Sequence, residues 1–94
     1  GTHVAGIIGS SNTTYLGIAP SVNLIALRVL DASGSGTFGA VEDALRWVIN
    51  NKSTYNIAAI NMSLGSGNYA STPFGFLEDE FSTLNTQGVF ISVA

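Results

Sequence analysis

His3 is the only imidazole in the chain, so it is the one side chain suited to general-base work near neutral pH without a large perturbation. Its neighbours Thr2, Val4, Ala5 and Gly6 offer nothing obvious to orient it, and a lone histidine in such a setting reads as a buried, hydrogen-bonded structural residue. Ser63 follows an apolar run of strand length, where ligand sites of parallel α/β sheets lie, yet neither Ser63 nor Ser66 sits in the Gly-x-Ser-x-Gly setting of a nucleophile elbow. The acidic run Glu78-Asp79-Glu80 falls in the first half of an expected helix, where it complements the dipole and reads as a solvated face. There is no cysteine, which removes disulfides and thiolate metal sites.

The segment Gly34-Ser35-Gly36-Thr37-Phe38-Gly39 fits G-x-G-x-x-G between an expected strand and an expected helix, the setting of a dinucleotide fingerprint. That fold also asks for an acidic residue ending the next strand, and here Asn61-Met62-Ser63 stands instead. Two other readings fit the same glycines. They serve a βα loop that needs positive φ and close backbone approach, or they present backbone N–H and C=O groups to an added strand of peptide. Asn12-Thr13-Thr14, Asn51-Lys52-Ser53 and Asn61-Met62-Ser63 fit the glycosylation pattern, which occurs often by chance and carries no weight without exposure; Asn61 falls in a strand expected to be buried.

The elements that would position these residues follow from apolar spacing. Gly1 to Gly9 reads as a tightly packed helix end, Ser10 to Tyr15 as a polar loop, and Gly17 to Pro20 as a turn. Asn23 to Leu30 is a near-continuous apolar run, the pattern of a parallel strand covered on both faces. From Thr37 a helix is expected on the stripe Val41, Ala44, Leu45 and Val48, ending near Asn50 or Asn51. Ile57 to Met62 is a second buried strand. Thr72 and Pro73 would start a third helix carrying Phe74, Leu77, Phe81 and Leu84 and stopping at Gly88, and Val89 to Val93 is the third strand. The order α-β-α-β-α-β argues for an α/β fold: three parallel strands, covering helices and right-handed crossovers.

The 94 residues are 46% hydrophobic and 10% charged, so one domain at most is expected, with much of its surface buried against something else. Net charge is −3 and Arg28, Arg46 and Lys52 are scattered, which excludes the electrostatic footprint of a nucleic-acid binder. No apolar run approaches the ~20 residues that span a bilayer. Both ends look cut, since the chain opens on Gly1-Thr2-His3 and stops in the apolar Val93-Ala94.

Gly1-Thr2-His3-Val4-Ala5-Gly6, Gly17-Ile18-Ala19-Pro20 through Gly34-Ser35-Gly36, and Ile60-Asn61-Met62-Ser63-Leu64-Gly65 together resemble the subtilisin-like (subtilase) serine protease family. The likeness runs over nearly the whole chain and implies a partial subtilisin-like fold, an internal segment of a single peptidase domain at 1–94. It implies that His3 is the second, non-catalytic histidine of the family signature, with the catalytic base one residue before Gly1. The aspartate and nucleophilic serine would lie outside these residues, as would the oxyanion asparagine after Ala94. No catalytic residue is therefore expected here.

The resemblance places substrate-binding roles instead. Gly34, Ser35 and Gly36 would pair their backbone with substrate, and Ser63, Leu64 and Gly65 would form the opposite edge. Leu30 and Phe38 would wall side-chain pockets, and Ala94 would border the pocket beside the scissile bond. The implied partner is a polypeptide substrate and the implied location is secreted or extracytoplasmic. Many relatives bind calcium after the histidine helix, but Ser10 to Leu16 has no carboxylate, so no metal or cofactor is expected in this segment. A family strand from outside the segment would lie between Asn23–Leu30 and Ile57–Met62, so the chain alone is expected to fold poorly. The readings from other classes are a Rossmann-like nucleotide-binding module and a non-catalytic, peptide-binding relative of the family.

Overall fold

A computed structural model of the chain describes residues 1–64 and 77–93. Its elements in order are α1 (Thr2–Gly9), α2 (Phe38–Tyr55), β1 (Ala59–Met62), α3 (Glu78–Thr86) and β2 (Phe90–Val93). The expected start of the third helix at Thr72 and Pro73, and Phe74 on it, lie outside the described residues.

α2 forms where the apolar stripe demands it. Val41, Leu45 and Val48 are its buried residues, three to four apart on one face. Thr37 is its N-cap, accepting a hydrogen bond from the Ala40 N–H at Oγ1 (3.1 Å). The helix does not stop near Asn50 or Asn51. Asn51 stays helical by donating its side-chain amide to the Trp47 carbonyl (2.8 Å), and the stop falls to Asn56, whose φ of 52° is the left-handed conformation asparagine tolerates. Trp47 and Tyr55 stack with ring centroids 5.6 Å apart along the extra turns. Thr37→Ala is expected to cost the helix start about 1 kcal/mol. The check is circular dichroism of a 36–56 peptide, whose helicity should fall while Asn50→Ala raises it.

α3 ends as expected around Gly88, through a complete Schellman arrangement. Gly88 at φ 80° donates to Asn85 O, and the Val89 N–H reaches back to Leu84 O (both 3.0 Å). Leu84 and Val89 are both buried, so the hydrophobic contact that accompanies this cap is part of the core.

β1 and β2 pair in parallel with Ala59 opposite Phe90 and Met62 opposite Val93. The core gathers Val41, Leu45, Val48, Ile57, Met62, Leu77, Leu84 and Val89 between α2, α3 and one face of this sheet. The other face is open: Phe90 is 72% exposed. The expected strands buried on both faces are thus strands covered on one, because every described helix packed against them lies on the same side.

Two strands, not three, pair among the described residues. Asn23 to Val29 is unpaired, and only Leu30 joins a bridge, antiparallel, to Gly36. Leu24, Ile25 and Leu27 stay exposed. An apolar run encodes burial, but a strand exists only where a neighbour accepts and donates its hydrogen bonds. Such a neighbour for 23–29 does not occur among the described residues.

α1 likewise buries nothing. Its exposed C-terminal carbonyls are satisfied by the returning loop, with Ile18 N donating to Ile7 O (3.0 Å) and Ala19 N to Ile8 O (2.7 Å).

The acidic run also departs from expectation. Glu78 and Asp79 are exposed, but α3 packs on α2 so that Glu80 turns inward, its side chain 7% exposed. Arg46 bridges it to Glu42, with N–O distances of 3.3 Å to Glu80 Oε1 and 2.6 Å to Glu42 Oε1. Glu80 Oε2 is buried without a hydrogen-bond partner.

Candidate functional site

The glycine loop is organised by one carboxylate. Asp31 Oδ1 accepts from Ser33 N–H (2.9 Å), Ser33 Oγ–H (2.6 Å) and Ser35 N–H (3.0 Å). The backbone closes the same turn, with Asp31 N donating to Ser35 O (2.7 Å) and Gly34 N to Asp31 O (3.0 Å). An aspartate two residues before a serine, in a glycine-rich stretch, is an Asx-turn signal.

The bridge between Leu30 and Gly36 sets which backbone groups face outward. The flanking residues Asp31 and Ser35 are joined by a hydrogen bond, and Leu30 and Gly36 make none to each other. They are therefore a non-hydrogen-bonded antiparallel pair, whose N–H and C=O groups point away from the partner strand. The outward Leu30 carbonyl accepts from Arg28 Nε (2.9 Å). Among the described residues, nothing pairs with the outward N–H and C=O of Gly36, one donor and one acceptor.

Only glycine fits at this position. A Cβ at Gly36 would stand 2.2 Å from the Val29 carbonyl oxygen and 2.9 Å from Leu30 Cδ2. Leu30 and Phe38 flank this edge and are half-buried.

The second candidate edge begins where β1 ends. Ser63 is exposed and its Oγ accepts from Asn61 Nδ2 (2.9 Å), while Leu64 packs against the core. The turn at Asn56 reverses the chain, so β1 runs back toward the end from which α2 starts, and Val41 near that end shares the core cluster with Met62. Residues 34–38 and 63–64 thus lie at the same end of the unit. Parallel pairing brings Val93 beside Met62 there too. Gly65 and Ala94 lie outside the described residues.

His3 corrects its first reading. It is exposed on α1 and makes no hydrogen bond among the described residues, since the loop that returns over this helix meets its other end, at Ile7 to Gly9. Asn61 is likewise exposed rather than buried, on the open face of β1. In the loop after α1, Asn12 Oδ1 is already taken by the N–H groups of Thr14 (2.9 Å) and Tyr15 (3.1 Å). Ser10 to Leu16 contains no carboxylate, and the only side-chain carbonyl oxygen in the loop is already occupied by these two bonds.

Hydrogen bonds from Ser33 and from the Ser33, Ser35 and Gly34 backbone hold the Asp31 carboxyl below its ordinary value of 3.8. The sign follows: the loop order that this carboxylate supports is fully present above that value and is lost as pH falls through the lowered one. An NMR titration of the Ser35 amide should therefore show its midpoint below 3.8, and the step should vanish in Asp31→Asn.

Among the described residues the unit is thus an α/β arrangement with the Leu30–Gly36 bridge and the end of β1 as its two loop-bearing edges. The sequence matches the subtilase family over residues 1–94, and the chain belongs to that family. It is 43% identical over 93 residues to a thermostable alkaline protease of Halalkalibacterium halodurans, covering 97% of this chain and 24% of that protein. It is 38% identical over 96 residues to subtilisin Savinase of Lederbergia lenta, covering 100% of this chain and 33% of that protein. It is 48% identical over 67 residues to subtilisin DY of Bacillus licheniformis, covering 69% of this chain and 23% of that protein. The chain thus spans between a quarter and a third of the length of the first two relatives.

Proposed function

We propose that residues 1–94 are an internal segment of a subtilisin-like serine endopeptidase and supply its substrate-cleft walls. Gly34, Ser35 and Gly36 form one edge, on which Gly36 supplies the outward N–H and C=O while the Gly34 and Ser35 N–H groups and the Ser35 carbonyl close the loop, and Ser63, Leu64 and Gly65 form the other, with the substrate peptide lying between them as an added strand. Leu30 and Phe38 wall apolar pockets, and Ala94 borders the pocket beside the scissile bond. The observation that carries this reading is the outward donor and acceptor of Gly36, fixed by the Leu30–Gly36 bridge.

In the whole enzyme the reaction would be acyl transfer to a serine, with a histidine base oriented by an aspartate and an oxyanion hole. This segment contributes positioning of the substrate and no member of that triad, so it is inactive alone. It takes no metal or cofactor, and the enzyme acts outside the cytoplasm on polypeptides.

The test is to read the flanking sequence. Histidine immediately before Gly1, Ala-Gly-Asn after Ala94 and a downstream Gly-Thr-Ser segment are expected. Other residues at all three places would overturn the protease assignment in favour of a peptide-binding relative.

A further inference from the structure

We infer that Asp31 is a positioning residue for the peptide substrate: it pre-forms the edge on which the extended chain pairs. The inference rests on the cleft-wall reading of Gly34 to Gly36. Asp31 faces no substrate group itself, because its Oδ1 is turned into the loop, where three donors from Ser33 and Ser35 converge on it.

The consequence lies in what those bonds take and what they leave. The N–H groups of Gly34 and Ser35 and the Ser35 carbonyl are all spent inside the loop. Gly36 is thereby held opposite Leu30 with its own N–H and C=O outward. A loop with glycines at 34 and 36 and serines at 33 and 35 has little intrinsic preference for one conformation. Without the carboxylate, two backbone bonds and the 3.3 Å contact from Ser33 Oγ to Ser35 Oγ remain to define the turn. The pairing-competent form then becomes one member of an ensemble, and apparent affinity falls in proportion to its population. If the loop is competent in about a tenth of molecules, the Michaelis constant rises about tenfold, with the chemical step unchanged.

The experiment uses the full-length parent chain and compares wild type, Asp31→Ala and Asp31→Asn on two substrates. One is an N-acyl tetrapeptide nitroanilide, long enough to lie along the edge; the other is an N-acetyl amino-acid ester, too short to reach it. Asp31→Ala is expected to raise KM about tenfold on the tetrapeptide with kcat within about twofold, and to leave the ester kinetics unchanged. Asp31→Asn keeps an oxygen acceptor at the same place and should restore most of the affinity. Unchanged tetrapeptide kinetics in Asp31→Ala, or an equal loss on both substrates, would overturn the inference. Failure of wild type to cleave either substrate would count against the protease reading instead. Affinity for the uncleaved tetrapeptide amide, measured by calorimetry, then decides the role of Asp31 by the same comparison.

Discussion

Replacing Gly36 with alanine is expected to lower kcat/KM of the full-length enzyme on extended peptides by about a hundredfold, the scale of a displacement near 1 Å in a substrate-positioning element. The added methyl group meets the Val29 carbonyl oxygen at 2.2 Å, and that atom belongs to backbone, which cannot step aside as a flexible side chain can. Relief requires the loop to move off Leu30, which breaks the bridge and swings the outward N–H and C=O of Gly36 out of register. Ser35→Ala is the matched control. It removes only a hydroxyl that takes a 3.3 Å bond from Ser33 Oγ, leaves the Ser35 N–H on Asp31, and is expected to change kcat/KM less than threefold. Steady-state kinetics on a tetrapeptide substrate separate the two. Equal behaviour of the two variants would remove the edge from the substrate path.

The second large effect concerns folding. The 94 residues alone are expected to show no sharp thermal transition and to bind a hydrophobic dye in the cold. The buried apolar side chains come from α2, β1, α3 and the segments beside them, and none from residues 1–37. Ile18 is 89% exposed, Tyr15 78%, and Leu24 51%, a set of apolar surfaces that ordinary monomers cover. The open edges of a two-stranded sheet add a route to association. Calorimetry gives the decision. A cooperative two-state transition of an intact monomer, with an enthalpy of roughly 60–70 kcal/mol, would show that the chain is self-sufficient.

The sites and the fold were legible to different degrees for physical reasons. α2 could be read because Val41, Leu45 and Val48 recur at helical spacing, and a helix satisfies its backbone within itself. β1 and β2 could be read as short apolar runs bounded by turn residues, and Gly88 as a stop, because a positive φ singles out glycine. The run Asn23 to Leu30 carries the same signal as β1 yet forms no strand here, since pairing is a property of two segments and not of one. Glu80 was read as solvated because its neighbours in sequence are charged, whereas its burial depends on how α3 lies against α2.

The apolar stripe of α2, the stop at Gly88, the short apolar runs of β1 and β2 and the family to which the chain belongs are all encoded in local spacing and motifs. The pairing of two strands, the approach of Glu80 to Arg46, the three hydrogen bonds on Asp31 Oδ1 and the Leu30–Gly36 bridge came only with the packed structure. These features depend on contacts between groups whose directions the order of residues does not specify: hydrogen bonds have geometry, and geometry is set only once the elements have packed.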